Sequence, residues 1–96
     1  MDVYLRKDAE QDIIHAAGWY EDQRPGLGGE FLDEALRTLT LIGENPTMFP
    51  DVHGGVRRAL VGRFPFGIFY RVEKKIVVAL SVMHGRRSLQ RWRERT

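Results

Sequence analysis

A chain of 96 residues with 43% hydrophobic residues suits one small domain rather than several. The absence of cysteine excludes disulfides and thiolate metal sites. The net charge of +2 hides an asymmetry: residues 1–50 hold four basic against ten acidic side chains, a net −6, and residues 51–96 hold eleven against three, a net +8. That distribution implies an acidic face and a basic face, the basic one suited to a polyanion or an acidic protein, unless the halves neutralise each other in the fold.

The N-terminal "MDVYLRKDAEQD" is charged throughout and lacks the apolar stretch of a signal peptide. No apolar run approaches the roughly 20 residues of a bilayer span, so a cytoplasmic protein without a membrane partner is expected. "DVYLR" reads as a short strand. Asp8, with Gln11 three residues on, has the spacing of a capping box and predicts the start of a first helix, whose stripe runs through Ile13, Ala16 or Ala17, and Tyr20. "RPGLGG" breaks that helix. Phe31, Leu32, Ala35, Leu36, Leu39 and Ile42 recur at helical spacing, and Gly43 and Pro46 mark the end of a second helix. The short connection predicts an antiparallel helical hairpin.

The period then changes. "GVRRALV" (Gly55 to Val61) reads as a strand. In "FGIFYRV", Phe66, Ile68, Tyr70 and Val72 share one face, and Pro65 precedes the ladder where it costs no hydrogen bond. "EKK" is a tight turn, and "IVVALSVM", apolar on both faces, is a central strand. "SLQRWRER" is a short final helix capped by Ser88. The expectation is an α+β domain spanning residues 1–96: a small antiparallel sheet packed against a helical hairpin, in the order β-α-α-β-β-β.

Few residues carry visible chemistry. His15, His53 and His84 are far apart in sequence and without ligand spacing, so no metal or cofactor is expected. His84, at the end of the central strand with the parity of Leu80 and Val82, is the candidate for proton transfer. Arg86 and Arg87 follow it closely enough to grip a phosphate. Arg57, Arg58 and Arg63 extend this into a basic patch if neighbouring strands bring them together. Trp19, Tyr20 and Trp92 are candidates for partner contact where they are exposed, and core otherwise.

The stretches "WYEDQRPGLGGEFLDEALRTLTLIGENP", "VRRALVGRFPFGIFYRV" and "VMHGRRSLQRWRER" together resemble the RelE/ParE family of bacterial type II toxins, over Ala9 to Arg95. The resemblance implies a helical hairpin on a small sheet and a cognate antitoxin as partner, with Trp19, Tyr20 and Trp92 as antitoxin contacts. RelE-like members cleave mRNA on the ribosome; ParE-like members inhibit DNA gyrase. The cleaving branch places an arginine near the start of the strand that corresponds to "FGIFYRV". Here Phe66 and Gly67 stand there, and Gly85 stands where a partner tyrosine often follows the histidine. Ser88 replaces a proline frequent in relatives. The pattern favours a gyrase inhibitor, with Arg58, Arg63, Arg86 and Arg87 as target or phosphate contacts. An mRNA endoribonuclease using His84 is the alternative, and an inactive or purely binding relative is a third.

Overall fold

A computed structural model describes residues 1–85. The elements run β1 (Asp2–Leu5), α1 (Lys7–Gln23), α2 (Leu27–Glu44), β2 (Asp51–His53), β3 (Val56–Leu60), β4 (Phe66–Glu73) and β5 (Ile76–His84). One sheet has the order β1-β5-β4-β3-β2. Neighbours from β2 to β5 are antiparallel, whereas β1 pairs parallel to β5, Val3 opposite Val77 and Leu5 opposite Ala79. The sheet is therefore mixed, a correction to the all-antiparallel expectation. Its cause is topological: β1 and β5 are separated by the helical hairpin and by β2 to β4, a connection long enough for a parallel pair. The final helix and its cap at Ser88 lie outside the described residues.

Both helices cover one face of the sheet. Ala9, Ile13 and Ala16 of α1 and Phe31, Ala35, Leu39 and Ile42 of α2 pack on Ile68, Tyr70, Val77, Ala79 and Val82. Phe66 and Val72 join them, so the alternation legible in "FGIFYRV" is the one that faces the helices. A second cluster, Val56, Phe69, Val78, Leu80 and Met83, occupies the opposite face. β5 lies inside the sheet between β1 and β4, one place from its middle, and is buried on both sides from Val77 to Met83.

The register of β5 against β4 shifts between Phe69 and Tyr70, which pair with Ser81 and Ala79 and leave Leu80 unpaired as a bulge. One extra residue reverses the parity of the strand beyond it. Leu80 therefore lies in the far cluster while Val82 joins the helix-facing core, which corrects the expectation that Leu80, Val82 and His84 share a face. Asp12 of α1 clamps this region, its carboxylate accepting the Val82 amide at 2.9 Å.

Two helix ends differ from the sequence reading. α1 begins at Lys7, ahead of Asp8, because β1 runs straight into it: the Arg6 amide still donates to Ala79 of the sheet at 3.1 Å, and the Arg6 carbonyl already accepts the Glu10 amide at 3.0 Å. Asp8 instead sits in the first turn, where its charge suits the positive end of the helix dipole. α2 continues past Gly43 to Glu44, with Asn45 as its cap. Gly43 serves close approach: a Cβ there would stand 2.9 Å from the Met1 carbonyl oxygen, and the N-terminal ammonium donates to the Gly43 carbonyl at 3.0 Å.

The "PGLG" junction has a definite physical content. Gly26 adopts φ 90°, a left-handed conformation that glycine reaches without strain. A Cβ on Gly28 would meet the Ala17 carbonyl oxygen at 2.5 Å. Glu21 of α1 reaches across to accept the Gly26 amide at 3.0 Å and the Gly28 amide at 3.1 Å, satisfying donors that begin α2.

Candidate functional site

His84 ends β5 opposite Phe66 and meets that ring edge-on at 5.3 Å. Phe66 belongs to the helix-facing core, so His84, itself exposed, is directed to the helix side of the sheet. Arg58 points the other way. It pairs with Phe69 of the far cluster, and its side chain crosses Gly67, where a Cβ would lie 2.9 Å from the arginine Cγ. Gly67 thus leaves room for a guanidinium stem from the neighbouring strand. Among the described residues no carboxylate pairs with Arg58.

The other arginines of the anticipated patch are dispersed. Arg57 donates to the carbonyls of Phe49 at 2.6 Å and Thr47 at 3.2 Å, fastening the loop before β2. Arg63 bonds Glu30 of α2 and lies 5.0 Å over the Phe64 ring, and Glu30 also bonds Arg24 at 3.1 Å. The charge asymmetry is thus met in two ways among the described residues: Arg63 is neutralised by Glu30 of the acidic hairpin and Arg71 by Glu73 of its own strand, while Arg58 has no described carboxylate partner on the far face of the sheet. Arg86, Arg87 and Trp92 lie outside the described residues.

The two described partner-contact candidates separate by environment. Trp19 is 60% exposed and touches Tyr20 edge-on at 5.2 Å. Tyr20 is half-buried, stacked on Phe31 at 5.4 Å and edge-on to Phe64 at 4.9 Å. Burial pushes its phenol above the ordinary value. Tyr70, fully buried, donates its hydroxyl to the Pro46 carbonyl at 2.8 Å; burial raises its pKa also, with the Arg57 charge opposing.

The sequence reading missed an apolar groove on the surface of the described residues. Between α1 and α2 runs a groove of about 180 Å³, with Ile13, Ala35 and Leu39 below and Leu5, Ile14, Leu32 and Leu36 along it. Ile14 and Leu36 are 59% and 62% exposed. The signal was present: Ile14 beside Ile13, and Leu32 and Leu36 beside Phe31 and Ala35, make each apolar stripe wider than one buried face requires. The rim is acidic. Glu10 lines the groove, and the two helices together carry nine acidic and two basic side chains.

This arrangement of hairpin and mixed sheet is shared with a solved structure described as the chromosomal ParDE TA system from P. aeruginosa. The match has a TM-score of 0.79 at 18% identity and covers 88% of this chain and 96% of that one, a likeness of fold. No curated protein sequence matches the chain. Residues 3–89 match the family described as the ParE toxin of the type II toxin-antitoxin system parDE, and the chain belongs to that family. Among the described residues no helix is long and apolar enough to cross a membrane.

Proposed function

We propose that this toxin arrests growth in the cytoplasm by inhibiting DNA gyrase, without nuclease chemistry of its own, and that a cognate antitoxin neutralises it by laying an amphipathic helix in the α1–α2 groove. The carrying observation is the separation of His84, among the described residues, from Arg57, Arg58 and Arg63. Cleavage of RNA by attack of a 2′-hydroxyl requires a base, an acid and phosphate-stabilising charges around one phosphorus. Here His84 packs on Phe66 at the helix side, Arg58 lies across Gly67 on the opposite side, Arg57 is committed to two backbone carbonyls and Arg63 to Glu30. The inhibitor reading needs no such convergence and uses the far-face cations, Arg58 among them, as contacts to the target.

The groove supports the antitoxin part. Side chains such as Ile14 and Leu36 on a helical pair are the usual receptors for an amphipathic helix. The acidic rim calls for a stripe bordered by lysine or arginine. Induced expression of the wild type and of His84→Gln, with transcripts probed during arrest, tests the reaction class. Equal arrest with intact transcripts is expected. Cleaved transcripts that disappear with His84→Gln would establish the endoribonuclease instead.

A further inference from the structure

The sheet face away from the helices ends at the β1 edge in an open concavity of about 630 Å³. Register defines its layout. Tyr4 and Arg71 both pair with Val78, one from each side, and therefore stand in one row across three strands, about 10 Å apart at ordinary strand spacing, with Val78 as the floor between them. Ile76 extends that floor. Arg6, two residues along the chain from Tyr4, and Lys7, at the start of α1, supply two further cations to the same wall.

Tyr4, Arg6 and Lys7 are uncommitted among the described residues. Tyr4 is 62% exposed, and among the described residues its ring meets no other ring. No described carboxylate pairs with Arg6 or Lys7. Arg71 is held by Glu73, which fixes its guanidinium at the rim. An exposed aromatic ring over an apolar floor, bordered by three cations, offers stacking to a planar group and charge-assisted hydrogen bonds to an oxyanion attached to it. An acidic peptide would satisfy the cations and leave the ring and floor without a planar counterpart.

We propose that this concavity binds a nucleoside phosphate, as a free nucleotide or as part of a single strand, with the base on Tyr4 and the phosphate held by Arg6, Lys7 and Arg71. Glu73 remains at the rim as an acceptor for amino groups of the base. The site is separate from both the helical groove and His84, and it does not depend on gyrase being the target.

Fluorescence anisotropy of the full chain with an end-labelled single-stranded oligonucleotide tests this, with AMP, inorganic phosphate and poly-glutamate as competitors. Saturable binding is expected. Arg6→Gln with Lys7→Gln weakens it at least tenfold. Tyr4→Ala weakens oligonucleotide and AMP at least fivefold, leaves inorganic phosphate unchanged, and is rescued by Tyr4→Phe. Full displacement by AMP identifies a single-nucleotide site, and binding of the oligonucleotide alone identifies a strand site; both support the proposal. Absence of saturable binding, indifference to Tyr4→Ala, or displacement by poly-glutamate at the same charge concentration would overturn it. Because Tyr4, Arg6 and Lys7 are exposed, unchanged thermal melting of each variant separates lost binding from lost fold.

Discussion

At the scale of single residues, Tyr70 couples burial to a hydrogen bond and to pH. Its hydroxyl satisfies the Pro46 carbonyl, so Tyr70→Phe leaves that acceptor without a partner and is expected to cost about 1 kcal/mol in denaturant unfolding near neutral pH. The pH dependence comes from the raised pKa values of Tyr70 and Tyr20. The neutral phenol is favoured in the folded state, so this contribution is complete below the unfolded value of about 10 and is lost as pH rises through the higher folded value. Stability should fall on the alkaline side of about pH 10, less steeply in Tyr70→Phe than in the wild type. Equal slopes in urea titrations up to about pH 11 would contradict the assignment. Glu21 gives an independent check. It binds two amides that open α2, so Glu21→Ala is expected to lose about 1 kcal/mol, as for loss of a helix cap, measured by the same titration.

At the scale of elements, the helical groove makes a prediction of opposite kind. Ile14 and Leu36 are mostly exposed, so changing both to Asp should alter folding stability by about 0.5 kcal/mol or less per site while weakening antitoxin binding at least tenfold in calorimetric titration. Unchanged affinity would move the antitoxin elsewhere. The hairpin, the alternating β4 and the doubly buried β5 were legible because period alone specifies them. The parallel place of β1 was not, since strand partners depend on distant contacts that local pattern does not encode. The β2–β3 hairpin was missed although "HGGV" carried its signal: His53 pairs with Val56 around Gly54 and Gly55, at φ 51° and 88°, the positive values a two-residue turn demands. The bulge at Leu80 left no mark in an evenly apolar strand. That single insertion decided which face His84 shares, so the candidate site was less legible than the fold: the sequence nominated its residues, and register set His84 and Arg58 on opposite faces.

At the scale of the whole molecule, charge and apolar surface are divided between two sides. The hairpin presents an acidic rim around an apolar groove; the far face of the sheet presents Arg58 and Arg71, with Arg6 and Lys7 at its edge. On the proposed function, the grooved side serves the antitoxin and the cationic side the target, so the two are recognised by different chemistry. The cationic side also implies that target binding weakens as ionic strength rises, since exposed charges are screened within about 10 Å at 0.1 M salt. The most direct test titrates the purified wild-type chain into a DNA gyrase supercoiling reaction, with His84→Gln and Arg58→Glu alongside. Wild type and His84→Gln are expected to inhibit equally, and Arg58→Glu at least tenfold less. Supercoiling that proceeds unchanged at saturating toxin would contradict the account.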